Sequence, residues 1–216
     1  ITDEAYHYGA ADEQVIRRIV DEGSVRRAYD ALRALRVHVD RSAALDAVPF
    51  LRSAIERRSD NALAADRAME TFIRERPTSP MVALGWLERG LAAIQDGQDM
   101  IAIDHLRLAS ESAVIDLQRR DDSLYRQVAH TAHFWRATSY ARAGYHAEAL
   151  AGFRSAIRVD SAGAYADRSW FGIGQLYERN RQFDSALIAF AVVRDQYPSG
   201  MTESDRKSGS AGMPRP

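Results

Sequence analysis

The chain has 216 residues, and its 29 Lys and Arg residues nearly balance its 30 Asp and Glu residues, which leaves a formal net charge of −1. This balance argues against a dedicated polyanion-binding protein, because such proteins usually carry a basic excess. The chain contains no cysteine, which excludes disulfide bonds, thiolate catalysis and cysteine-ligated metal sites. No apolar run approaches the roughly 20 residues of a membrane-spanning helix.

Apolar residues recur at steps of three and four, as in Ala186, Phe190 and Val193. This spacing places them on one face of an α-helix. No stretch of useful length alternates β-branched or aromatic residues with polar ones. The sequence therefore predicts an all-α protein.

A triplet of one small residue and two further apolar residues occurs five times, with successive triplets 37 residues apart except for one spacing of 47. A turn residue precedes each triplet by five positions. In chain order the triplets are Ala28, Leu32 and Leu35; Ala65, Met69 and Phe72; Ala102, Leu106 and Ala109; Ala149, Phe153 and Ala156; and Ala186, Phe190 and Val193. The turn residues are Gly23, Asp60, Gly97, Gly144 and Arg181.

Each copy predicts a helix A, a short turn and a helix B. The predicted array covers residues 1–199, with units at about 9–42, 46–79, 83–116, 130–163 and 167–199. One helix pair cannot bury its apolar face alone, so the units must stack. Residues 200–216 are small, polar and rich in Gly and Pro, which is typical of a flexible tail.

The last unit carries the most specific motif, which is Trp170, Ile173, Gly174, Tyr177, Ala186, Phe190 and Pro198. It resembles the tetratricopeptide repeat (TPR) family, whose pattern is an aromatic, an aliphatic, Gly, Tyr, then Ala, Phe and Pro. The resemblance covers roughly residues 9 to 200 and implies a right-handed superhelical solenoid of about five repeats. The family period is about 34 residues, so these units are about three residues longer.

The resemblance also implies a binding surface, because helix A lines the inner groove of the family's superhelix, where peptide segments bind. Leu84, Leu87, Leu91 and Ile94 form an apolar stripe that is either an exposed interaction patch or ordinary core. Carried over by position, the predicted groove contains Leu84, Leu87, Leu91, Phe134, Thr138, Arg142, Phe171, Gln175 and Arg179.

The implied function is a non-catalytic protein–protein interaction scaffold that binds a peptide or protein segment within a larger assembly. The alternative is a self-associating, regulatory repeat segment of a multidomain protein. We expect a protein or peptide partner and no nucleic acid, with a homo-oligomer left open. Residues 170–198 also look like repeats of bacterial envelope proteins of the outer-membrane assembly or Tol–Pal type. That likeness favours a bacterial periplasm or envelope location, with the cytoplasm as the alternative.

The 47-residue spacing predicts a helix break within residues 119–123 and two helices lengthened by about 1.4 turns each. Asp121, Asp122 or Ser123 is expected to cap the second helix. The extra residues are either a projecting hairpin that contacts a partner or a tolerated insertion.

No motif predicts catalysis, and no cofactor is expected. His130 and His133 share a helix face, which in principle allows a metal site. Arg126, one turn earlier, would repel a cation, so the sequence favours two polar residues near a helix start.

Overall fold

The computed structural model describes residues 48–79, 81–120 and 123–198, and within these ranges it contains eight α-helices and no strand. The predicted all-α fold is therefore confirmed. The first predicted unit and the tail at 200–216 lie outside the described residues. The helices are α1 Val48–Arg58, α2 Ala62–Glu75, α3 Val82–Gln95, α4 Asp99–Arg120, α5 Ser123–Arg142, α6 His146–Val159, α7 Ala166–Arg179 and α8 Phe183–Gln196.

The turn inside each described helix pair has the same backbone geometry. The turn residue has a positive φ in every case, at 57° for Asp60, 71° for Gly97, 85° for Gly144 and 57° for Arg181. The next residue donates its N–H to a carbonyl five positions back, as Gln98 does to Ala93 at 2.8 Å. This is the Schellman arrangement, in which a left-handed residue ends the helix. The four residues predicted from spacing alone occupy this position.

The predicted triplets form the core between helices A and B. The small residues Ala65, Ala102, Ala149 and Ala186 are all buried. Met69, Leu106 and Phe153 fill the space four positions later, with exposed fractions of 0%, 0% and 5%. The helix-B triplet is therefore confirmed as a core signature in these units, with the last unit's Phe190 half-buried.

Helices approach each other closely where a glycine removes a side chain. A Cβ built on Gly152 of α6 would lie 2.8 Å from the Cβ of Ala137 on α5. A Cβ on Gly90 of α3 would lie 2.6 Å from the Leu106 side chain, and one on Gly174 of α7 would lie 2.4 Å from the Phe190 ring. These distances are too short for real carbon contacts, so the helix pairs need glycine there.

The pair α4 and α5 accounts for the longer repeat spacing. These helices have 22 and 20 residues, whereas α2, α3, α6, α7 and α8 each have 14. The break falls where the sequence predicts it, since α4 ends at Arg120 and α5 begins at Ser123. The extension adds to the core, because Ala113, Tyr125 and Val128 are buried in the same cluster as Leu87. No helix within the described ranges combines the length and apolarity that crossing a membrane requires.

The units stack through both helices. Each helix packs on its neighbours in the chain, and α5 also contacts α3 and α7. The closest approaches between alternate helices are therefore between helices A. Units therefore contact one another between helix B of one unit and helix A of the next, and between successive helices A from α3 to α7.

The strained turn of the last pair predicts a stabilising substitution. Arg181 has a side chain and a left-handed φ, a combination that costs free energy and that glycine avoids. We expect Arg181→Gly to raise the free energy of unfolding by about 0.5–1 kcal/mol in urea denaturation. The matched reverse change, Gly144→Ala, is expected to lower it by about 1 kcal/mol. A destabilised Arg181→Gly protein would contradict the assigned turn.

The contact at Gly152 predicts a loss of stability that a second substitution repairs. We expect Gly152→Ala to lower the free energy of unfolding by about 1–3 kcal/mol, because the new methyl collides with Ala137. The double variant Gly152→Ala/Ala137→Gly moves the methyl to the facing helix and is expected to recover most of the loss in thermal and urea unfolding. Equal losses in the single and double variants would contradict this contact.

Candidate protein-binding surface

The residues of the predicted groove lie on the three helices A that contact one another. Leu84, Leu87 and Leu91 are on α3, Phe134, Thr138 and Arg142 are on α5, and Phe171, Gln175 and Arg179 are on α7. Of these three helices, α3 contacts α5, and α5 contacts α7.

The apolar members on α3 and α5 belong mainly to the core. Leu87 and Phe134 are only 6% and 7% exposed. Leu84, Leu91 and Ile94 are half-buried and pack against the same core cluster as Leu87. The stripe on α3 therefore serves as packing surface, which is the second of the two interpretations the sequence left open. Leu87 is too deeply buried to act as an exposed anchor.

An aromatic cluster joins α5, α6 and the start of α7 beside this surface. The rings of Phe134 and Tyr165 stack with centroids 4.5 Å apart and planes 10° from parallel. Trp135 and Phe153 contact the same Phe134 ring, at 5.1 and 5.9 Å between centroids. Aromatic pairs at such distances stabilise beyond simple burial. The cluster fixes Phe134 in place and leaves the half-buried Phe171 as the accessible aromatic of the groove.

Some polar members of the predicted groove already have hydrogen-bond partners within the chain, and others are exposed. The Arg142 guanidinium donates to both carboxylate oxygens of Asp99 on α4, with its Nε at 3.0 and 3.1 Å. The Thr138 hydroxyl donates to the carbonyl oxygen of Phe134 at 3.1 Å. Gln175 and Arg179 are exposed on α7. Arg142 therefore already has a carboxylate partner within the chain, whereas Gln175 and Arg179 are exposed to solvent.

His130 on α5 is fully buried and hydrogen-bonds to α6 and to the residue that precedes α7. Its Nδ1 lies 3.0 Å from the carbonyl oxygen of Ala156 on α6, and the backbone N–H of Tyr165 donates to its Nε2 at 3.0 Å. Because Nε2 accepts, the proton must lie on Nδ1, and the imidazole is neutral. Gly163 leaves room for the ring, since a Cβ there would be 2.7 Å from Nε2.

The hydrogen bonds of His130 argue against a metal site formed by His130 and His133. Both ring nitrogens of His130 are used in hydrogen bonds, which leaves this histidine no lone pair for a metal. Within the part of the chain that the structure describes, no three His, Asp or Glu residues are placed to hold a metal ion. Sequence reasoning missed the structural role of His130, because its partners are 26 and 35 residues away.

His133 is a second neutral histidine one turn further along α5. The Arg136 guanidinium lies 3.3 Å from its Nδ1, a contact that suits an unprotonated nitrogen. Burial, with the positive charges of Arg136 and Arg158 nearby, lowers the pKa of His133 to about 4. Burial and the charge of Arg89 likewise lower the pKa of His105 on α4.

The comparisons with known proteins agree with the fold. No family model matches the chain, and no curated protein matches it. Among solved structures, BtubC (BKLC) from P. vanneervenii is 17% identical with a TM-score of 0.68, over 98% of this chain and 87% of that one.

Two further structures are similar over most of both chains. MamA 41-end from Desulfovibrio magneticus RS-1 is 13% identical with a TM-score of 0.62, over 90% of this chain and 97% of that one. The putative kinesin light chain TPR-like repeats from Podosopora anserina are 16% identical with a TM-score of 0.60, over 86% and 92%. The predicted tetratricopeptide-type solenoid is thereby confirmed as the fold, whereas the likeness to Tol–Pal-type repeats is not supported by these neighbours.

The lowered histidine pKa predicts a loss of stability in acid. The folded chain holds His133 neutral, whereas the unfolded chain protonates it below its ordinary pKa of 6.5. The contribution of neutral His133 to the free energy of unfolding is therefore fully present above pH 6.5. It falls as the pH is lowered towards about 4. We expect His133 to account for at most roughly 3 kcal/mol of this loss.

The measurement compares urea unfolding of the wild type with that of His133→Gln, whose amide oxygen keeps an acceptor for Arg136. Carboxylate titrations are common to both proteins, so the difference between their free energies of unfolding isolates His133. We expect the wild type to lose stability more steeply than the variant between about pH 7 and pH 4.5. Parallel pH profiles would show that His133 titrates normally in the folded protein.

Proposed function

We propose that this protein is a non-catalytic interaction scaffold that binds a protein segment along its helix-A side. The observation that carries the proposal is the joined surface of α3, α5 and α7, whose helices contact one another and present Phe171, Gln175 and Arg179 on α7. A surface that mixes an aromatic side chain with adaptable polar groups is typical of protein recognition.

The binding segment is expected to place an apolar residue on Phe171 and a carboxylate near Arg179. Phe171 is half-buried against the Phe190 ring, with the centroids 5.5 Å apart, so it offers a pre-positioned aromatic face. Arg179 ends α7 and is exposed, and its guanidinium suits a carboxylate through two parallel hydrogen bonds. Leu87 and Phe134 support this surface from below as core residues.

A protein partner fits the charge of the chain better than a nucleic acid does. The net charge of −1 offers no excess of positive charge for neutralising phosphates. The predicted role in a larger assembly and the envelope location remain part of the proposal, and the fold by itself carries neither.

The test is a pull-down from native extract read by mass spectrometry, followed by titration of the recovered partner against purified protein. We expect Phe171→Ala/Arg179→Glu to weaken binding at least about tenfold, because it removes the aromatic contact and reverses the charge. The matched control is Arg67→Glu, which reverses an exposed arginine on α2, a helix B that lies outside the proposed surface.

Circular dichroism must first show equal helicity and melting for the three proteins. A partner bound equally by all three would show that binding occurs elsewhere and would overturn the proposed surface. Absence of any stoichiometric partner, from extracts of several growth conditions, would remove the scaffold proposal itself.

A further inference from the structure

The last described helix, α8, exposes three large apolar side chains. Phe183, Leu187 and Ile188 are 60%, 67% and 67% exposed. Leu187 and Ile188 share one face of α8 with Asp184, Ala191 and Arg194, because these residues are spaced three and four apart. We call these five residues the α8 outer face.

Leu187 is exposed at a position that is covered in the third and fourth units. Its counterpart in the fourth unit, Leu150, packs against the core cluster, and its counterpart in the third unit, Ile103, is 4% exposed. The cluster that Leu150 packs against contains Ile173 and Leu176 of the following helix A. At α8 no described residue covers Leu187, and a leucine there keeps the apolar character of a buried position.

Two other positions show that the α8 outer face does not suit a further repeat of the same kind. The counterparts of Ile188 are Arg67, Asp104 and Ala151, and all three are exposed, so stacking leaves this position in solvent. A large apolar residue at 188 is therefore not explained by stacking.

Arg194 is a charged residue at a position where the second unit has a half-buried apolar one. Its counterpart Ile73 meets the next helix A, since a Cβ on Gly85 would lie 3.3 Å from the Ile73 side chain. Arg194 is instead exposed and hydrogen-bonds to Asp195 at 2.6 Å. A guanidinium at this position does not suit burial under another helix A.

The α8 outer face is complementary to itself when two copies are placed antiparallel. A two-fold axis near residue 189 brings Asp184 opposite Arg194 of the partner subunit, since 184 + 194 equals 189 doubled. The same axis brings Leu187 opposite Ala191 of the partner subunit, a large side chain against a small one. The result is an apolar centre with an ion pair at each end, which is the isologous pattern of a two-fold dimer.

We propose that the chain forms a two-fold dimer through the α8 outer face, with the two α8 helices antiparallel. Residues 199–216 are an unsuitable cover for this face, because their only large apolar residues are Met201 and Met213. The Arg194–Asp195 pair is exposed and weakly held, so Arg194 is free to turn towards Asp184 of the partner subunit. This dimer does not depend on the helix-A surface or on its partner.

The first test is the mass of the full 216-residue chain in solution, by sedimentation velocity over about 1 to 100 µM. We expect a reversible dimer of twice 24.1 kDa. Leu187→Glu/Ile188→Glu is expected to be monomeric over this range, since it places four carboxylates in the dimer centre. The matched control Leu63→Glu changes a residue on α2 that is 62% exposed, and it should dimerise like the wild type.

The second test addresses the antiparallel arrangement. Asp184→Arg and Arg194→Asp should each raise the dissociation constant of the dimer about tenfold, because each places like charges opposite each other twice. The double variant Asp184→Arg/Arg194→Asp restores opposite charges and should return to within about threefold of the wild type. A merely structural role of these exposed residues would give no rescue.

Three outcomes overturn the proposal. A monomer at every concentration shows that this face does not self-associate. A mass that grows continuously with concentration indicates a head-to-tail polymer, in which the face meets a different surface of the next copy. A dimer that survives Leu187→Glu/Ile188→Glu or is not rescued by the double charge exchange lies on another face.

Discussion

The architecture depends on how closely helix A and helix B of each unit approach each other. The approach is set by residues without a side chain, or with a single methyl, at the crossing points. Gly152 of α6 against Ala137 of α5 is the tightest backbone contact, and Gly90 and Gly174 leave room for Leu106 and Phe190. Because interiors are close-packed, this spacing determines which large residue fills each gap.

The left-handed turn contributes equally to the shape of the unit. It reverses the chain within a few residues, so helix B begins beside the end of helix A. Where the turn residue is Asp60 or Arg181, the chain accepts the strain of a side chain at positive φ. The repeated hydrogen bond from the following residue, as from Tyr145 to Tyr140, keeps the geometry constant across units.

The lengthened pair α4 and α5 shows how an array absorbs an insertion. The additional turns bury Ala113, Tyr125 and Val128 in the same cluster as Leu87, so the extension adds core as well as surface. Its tip region exposes Ile115 and Leu124, at 50% and 42%. The neutral His130 then connects α5 to the end of α6 and the start of α7. The lengthened helix α5 is thereby hydrogen-bonded to the next unit.

Two surfaces emerge with different chemistry. The helix-A side is polar with an aromatic contribution, and its charges are partly neutralised within the chain, as by Asp99 on Arg142. The α8 outer face is apolar in its centre and charged at its ends. Our two proposals assign the first surface to a foreign segment and the second to a copy of the chain.

The sequence by itself determined the helical class and, within the described units, the repeat spacing, the turn positions and the burial of the helix-B triplets apart from the half-buried Phe190. These follow from local physics, namely the 3.6-residue helical period and the left-handed turn that ends helix A. Only the tertiary structure decided which apolar residues are exposed. Leu150 and Leu187 stand at equivalent positions of their units, yet one packs against a core cluster and the other is 67% exposed. Leu87 likewise joins the core, and His130 finds its partners 26 and 35 residues away. Burial depends on what the neighbouring unit brings against a side chain, and no local pattern records that contact.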